Sequence, residues 1–212
     1  MEHKPIAIMI LPVFVIGILM LGSFAATVNA QQSSNPETTI GEASGADQQT
    51  ILNMHNNERK AVNNPDLVWS NSLAADAKTW LDTLITESGG SVEARGIRHD
   101  PVNTGYSCTR GAACQGENLA RAASFSTPNP PAAPTVEQLV QGWINEPKGP
   151  FASNHYTQMV WKDTKEVGCA TATIKGMTSN GWHGVNVYLN CRYHPAGNQA
   201  FNGVPQPAYE VK

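Results

Sequence analysis

Asn154-His155-Tyr156-Thr157-Gln158-Met159-Val160-Trp161 (NHYTQMVW) is the stretch whose reading decides this chain. It sets an imidazole, two amides and two aromatic rings close together, just after a break at Pro147, Gly149 and Pro150. Breaks of that kind end a preceding element. Upstream, Thr135–Glu146 reads as a helix. Thr135 and Gln138 form a capping box, and Val136, Leu139, Val140, Trp143 and Ile144 supply an apolar face. Glu146 closes that helix at the end where the macrodipole disfavours a carboxylate. A cation or a histidine that needs the carboxylate would account for it. Downstream, Val167–Ile174 and Val185–Tyr193 alternate with period two and read as an antiparallel strand pair.

Farther out, Asp47–Asn63 reads as a helix stopped by Pro65. Ile51, Leu52, His55, Arg59 and Val62 share one of its faces. A second helix starts at Ser70 or Ser72 and runs to about Glu87, with Leu73, Ala77, Trp80, Leu81 and Leu84 inward. Ser91–Gln115 reads as a long loop carrying His99. Ala122–Pro134 reads as a proline-rich loop, and the chain after Phe201 as irregular coil.

Four motifs in this order carry a resemblance. They are His55-Asn56-Asn57-Glu58-Arg59, Gly116-Glu117-Asn118-Leu119, His155–Trp161 and Cys191-Arg192-Tyr193-His194-Pro195-Ala196-Gly197-Asn198. Together they resemble the CAP superfamily of cysteine-rich secretory proteins, antigen 5 and pathogenesis-related 1. Two positions depart from the family pattern. Asn154 stands where the first signature usually has Gly, and Gln199 where an apolar residue is usual. The resemblance implies an α+β fold, an α–β–α sandwich with a small antiparallel sheet between helical layers. It places the domain at residues 47–204, with a C-terminal tail at 205–212. It also implies a structural role for His55 and Arg59. The residue reading has His55 buried and hydrogen-bonded to backbone, with Arg59 pairing a carboxylate.

Composition excludes several classes. Net charge is −3 and no basic stripe is present, which argues against nucleic acid as a partner. Ile6–Leu21 is an apolar run after Lys4, and Val28-Asn29-Ala30 offers small residues at a signal-peptidase site. Residues 1–30 therefore read as a signal peptide, with an N-terminal membrane anchor as the alternative. Gln31–Ala46 reads as a flexible linker. The expected location is extracellular, with membrane attachment only through an uncleaved N-terminal segment. Cys108, Cys114, Cys169 and Cys191 suit an oxidising compartment. They allow three pairings. Loop and strand placement favour Cys108–Cys114 and Cys169–Cys191.

The candidate metal site is His99, Glu117, Glu146 and His155. The resemblance places all four along one open cleft. Two neutral imidazoles can ligate Zn²⁺ or another divalent cation, and two carboxylates can ligate it or orient the imidazoles. No G-x-S-x-G elbow and no H-E-x-x-H helix accompany them. The expectation is a non-enzymatic extracellular binding module whose partner is a small hydrophobic molecule, a lipid or sterol, or a protein. The alternative is a metal-dependent extracellular hydrolase or protease.

Overall fold

The structure, a computed structural model, describes residues 35–102, 104 and 114–210. The reading of residues 1–30 and the Cys108 half of the Cys108–Cys114 pairing lie outside the described residues.

Elements follow in the order β1 (Glu37–Glu42), α1 (Gly45–Ala61), β2 (Val68–Trp69), α2 (Asn71–Glu87), β3 (Gly116–Ser126) and α3 (Val136–Ile144). After these come α4 (His155–Met159), β4 (Glu166–Met177), β5 (His183–His194), β6 (Ala200–Phe201) and β7 (Val204–Pro205). The main sheet runs β1-β4-β5-β3, with β2 also pairing β4. All its ladders are antiparallel except β2 with β4.

Alternation along the strands builds the two layers. Successive side chains point to opposite faces of a sheet. Val167 and Cys169 on β4, with Val185, Val187, Leu189, Cys191 and Tyr193 on β5, face α1, α3 and α4 in one core. Ala170, Ala172 and Ile174 on β4, with Tyr188 on β5, face α2 in the other. Central β5 is buried from Gly184 to Tyr193 because both faces are covered. Cys169 and Cys191 are register partners on β4 and β5 and are joined by a disulfide. That is the pairing the strand reading favoured. On the chain-entropy view it contributes roughly 3 kcal/mol.

Gly168 shows how closely α2 lies on the sheet. A Cβ there would sit 2.2 Å from the Ser70 carbonyl oxygen and 2.4 Å from the Ala74 nitrogen, both in the first turn of α2. Only hydrogen at that position lets helix and strand approach so far.

Four expectations need correction. The flexible linker of residues 31–46 holds β1, which pairs with β4 from Glu37↔Lys175 to Glu42↔Ala170. α1 then begins at Gly45. Backbone pairing to an open sheet edge orders a segment that has few apolar side chains of its own. The proline-rich loop begins late, because β3 continues through Ser126 in register with His183. β7 pairs with β6 where the chain after Phe201 was expected to be irregular coil. Ala208 in the tail is fully buried, donating to the Pro150 carbonyl and accepting from Lys162. Among the described residues Arg59 forms no salt bridge with a carboxylate. Its guanidinium donates to the carbonyls of Pro65 (2.5 Å), Met159 (3.1 Å), Trp161 (2.8 Å) and Thr164 (2.9 Å). It thereby ties α1 to the chain leaving α4.

Candidate functional site

His155 opens α4. Asn154 caps that helix, accepting from the Thr157 amide at 2.9 Å. Asn is a preferred N-cap, which gives this departure from the family pattern a local role. The stretch is then locked to the second signature. Thr157 Oγ1 lies 2.7 Å from Asn198 Oδ1, and Gln158 Oε1 accepts from the Gly197 amide at 2.9 Å. Gln158 has room only because its neighbours lack side chains. A Cβ on Gly116 would meet Gln158 Oε1 at 2.1 Å, and one on Gly197 its Nε2 at 2.7 Å.

Glu146 lies just beyond α3 and grips the start of α4. Its Oε2 accepts from the His155 amide at 2.8 Å, and its Oε1 from His155 Nδ1 at 2.5 Å. A carboxylate is well placed at a helix N-terminus, where the free amides point outward. The His155 ring also stacks on Trp143, with centroids 5.9 Å apart and planes 19° apart. The His155 ring is thus held by two partners, Glu146 and Trp143.

The second dyad has a different base. His99 Nδ1 lies 2.6 Å from Glu117 Oε1, which also accepts from the Asp100 amide at 3.2 Å. Beneath it, Glu117 Oε2 is 3.0 Å from Arg192 Nη2, which reaches Asp100 Oδ2 at 2.9 Å. Arg192 is fully buried, while the His99 side chain is 61% exposed. The hydrogen bond to Glu117 raises the His99 pKa above its ordinary value, against the opposing effect of burial.

Asn118 links the two halves. Its Nδ2 donates to the His155 carbonyl at 2.9 Å and to the Tyr193 hydroxyl at 3.1 Å. Tyr193 is 2.8 Å from His55 Nε2, and His55 Nδ1 is 2.8 Å from the Ile51 carbonyl. A carbonyl only accepts, so His55 carries its proton on Nδ1 and accepts from Tyr193 at Nε2. One hydrogen-bond chain thus passes through all four motifs, from His55 through Tyr193 and Asn118 to His155. His55 turns to structure, as the residue reading expected, and Asn118 does the same.

Glu117 and Asn118 are successive on β3, so their side chains leave opposite faces of that edge strand, Glu117 toward the His99 ring and Asn118 toward the His155 backbone carbonyl. Each sequence-predicted histidine meets a sequence-predicted glutamate. Among the described residues, however, no three His, Cys, Asp or Glu side chains are grouped to hold a metal ion. In each dyad the imidazole commits Nδ1 to a carboxylate, which fixes how the ring is turned. The dyads do not form an all-protein cage. Sequence reasoning missed Arg192 and Asp100. No local signal marked Arg192, which falls on the polar side of the period-two alternation of that strand.

The chain belongs to the cysteine-rich secretory protein family, whose profile matches residues 52–193. It is similar to venom allergen 5.02 of Dolichovespula maculata, at 32% identity over 92% of this chain and 91% of that one. Venom allergen 5 of Brachyponera chinensis is 30% identical over 84% of this chain and 95% of its own length. Human peptidase inhibitor 15 is 30% identical over 70% of this chain and 57% of its own.

Proposed function

We propose that this protein is an exported, non-enzymatic binding module whose cleft takes a divalent cation, Zn²⁺ foremost, through His99 and His155. The observation that carries this reading is the pair of His–Glu dyads. In each, a carboxylate holds imidazole Nδ1 and leaves Nε2 as the coordinating nitrogen. Water would complete the coordination shell. A small apolar molecule or a protein partner would be bound in addition to the cation. Support for export comes from the apolar leader and the match to a secretory family. Support for a non-enzymatic role comes from the sequence, which carries neither a G-x-S-x-G elbow nor an H-E-x-x-H helix.

Calorimetric titration of the full chain with Zn²⁺ tests the proposal. His155→Ala is expected to abolish most binding while the thermal melt stays close to wild type. Glu146→Gln is expected to weaken binding about 10–100-fold through loss of ring orientation. Binding should also weaken as pH falls. Imidazole must shed its proton to coordinate, and Glu117 makes His99 hold that proton more tightly. Unchanged affinity in His155→Ala would sink the reading. Zinc-dependent cleavage of a peptide would replace it with the hydrolase.

A further inference from the structure

β5 carries a row of polar side chains on the side that faces α2. Asn186, Tyr188, Asn190 and Arg192 follow at every second position, and all four are buried. Polar groups between packed layers cost free energy unless they find partners. Asn190 Nδ2 donates to the Ala77 carbonyl on α2 at 3.3 Å. The other three turn to the segment that leads to His99, residues 91–100, which holds no helix or strand of its own. Asn186 Nδ2 donates to the Ala94 carbonyl at 3.0 Å, and the Tyr188 hydroxyl donates to the same carbonyl at 3.4 Å. Arg192 Nη2 donates to Asp100 Oδ2 at 2.9 Å. From α2, Trp80 Nε1 donates to the Arg98 carbonyl at 3.0 Å. The segment is thus fastened at Ala94, Arg98 and Asp100, and His99 sits between the last two.

Arg192 stands apart within the row because it carries a charge and has no exposure. Among the described residues its Nε and Nη1 have no hydrogen-bond partner. Both of its carboxylate contacts run through Nη2, to Asp100 and, at 3.0 Å, to Glu117 Oε2. Those two residues flank His99. Asp100 follows it in the chain, and Glu117 Oε1 lies 2.6 Å from its Nδ1. An arginine placed only to satisfy carbonyls spreads its bonds, as Arg59 does through Nε, Nη1 and Nη2.

The two dyads also need different supports. Glu146 is anchored by the His155 amide at the start of α4, and the His155 ring lies on Trp143. The His99 side chain is mostly exposed, so the direction of its ring rests on Glu117. Glu117 in turn has the Asp100 amide and Arg192.

We infer that Arg192 is the positioning residue of the His99 half of the site: its buried cation fixes Glu117 and Asp100, and through them holds Nδ1 of His99 and leaves Nε2 to coordinate. The use of this arrangement rests on the cation-binding reading above, whereas the arrangement itself exists without metal. Outer residues that orient a ligating imidazole govern metal affinity in this way.

The test compares wild type, Arg192→Met and Arg192→Lys as full chains ¹⁵N-labelled at histidine. In metal-free wild type, neutral His99 should carry its proton on Nδ1. In Arg192→Met, Glu117 loses its anchor, and His99 should show both tautomers while His155 keeps its proton on Nδ1. Zn²⁺ affinity by calorimetry should fall about tenfold, with the zinc-induced shift lost at His99 Nε2 and kept at His155. A merely weakened fold would change both rings alike. Arg192→Lys should stay within about threefold of wild type, because a single nitrogen makes both carboxylate contacts and no bidentate fork has to be replaced. Arg192→Met leaves two buried carboxylates without their cation. Should it fail to fold, Arg192→Met combined with Asp100→Asn removes one charge of each sign and carries the same expectation. His99 signals and zinc affinity unchanged from wild type in the folded variant overturn the inference. A wild type that takes up no Zn²⁺ overturns the cation reading alone, and the metal-free tautomer of His99 then decides the role of Arg192.

Discussion

Replacing Arg59 by Met should lower the stability of the folded domain by about 4 kcal/mol or more. Arg59 is fully buried and serves four carbonyls, those of Pro65, Met159, Trp161 and Thr164. Each buried acceptor left without a donor costs on the order of 1–3 kcal/mol, with part recovered where water enters. Burial pushes the guanidinium pKa down to about 10, so the group is still a cation at neutral pH. Its charge lies among carbonyl dipoles, and the Asp66 carboxylate also acts on it. Lysine is no substitute, because one ammonium cannot present the planar fork that reaches all four oxygens. For a chain of this size such a loss corresponds to a fall in Tm of roughly 10 °C. Thermal melts of wild type, Arg59→Met and Arg59→Lys check it. A shift of under 2 °C for Arg59→Met would show that the four bonds contribute little.

The second large effect is acid destabilisation through His55. Burial holds its pKa down at about 4, against an ordinary value of 6.5. The neutral tautomer, with its proton on Nδ1, agrees. A protonated ring would turn Nε2 into a donor toward Tyr193, whose hydroxyl already accepts from Asn118. Between pH 6.5 and about 4 the unfolded chain binds a proton at this residue that the folded chain refuses. Stability therefore falls as pH falls through that window, by about 3 kcal/mol in total. His99 acts in the opposite direction. Its pKa is raised by Glu117, so the stability of that pair is full below the ordinary histidine pKa and is lost as pH rises through the raised value. Subtracting the His55→Gln variant isolates the His55 contribution. Urea unfolding at pH 7.0 and pH 4.5 is expected to show a steep acid loss in wild type and a shallower one in His55→Gln. Equal acid losses in the two proteins would assign the pH dependence elsewhere.

The sequence shows much of this molecule, and the physics explains which parts. Helices α1, α2 and α3 are visible because each pairs an apolar stripe with a boundary residue such as Pro65 or Thr135. β4 and β5 are visible by their alternation. β1 is hidden because Glu37–Glu42 is ordered by backbone pairing to β4, which leaves little trace in side chains. The C-terminal half of β3 is hidden behind Ala122, Ala123 and the prolines that follow it. The dyads were legible as residue types and order, and Glu146 as a carboxylate out of place at a helix end. The buried Arg192–Asp100–Glu117 group was not, since no local pattern says that an arginine on a strand points inward. Nor does local pattern reveal that Arg59 takes four carbonyls in place of one carboxylate.

The proposed cation site depends on both dyads offering Nε2. Long-range ¹H–¹⁵N spectra of the full chain, ¹⁵N-labelled at histidine, examine that atom by atom. Spectra would be recorded without metal and with one equivalent of Zn²⁺. Without metal, His155 and His55 should both carry the proton on Nδ1 when neutral. With Zn²⁺, the Nε2 resonances of His99 and His155 should shift together, while His55, His183 and His194 stay in place. Zn²⁺ shifts at Nδ1 of His155, or no response from either ring at saturating metal, would contradict the site.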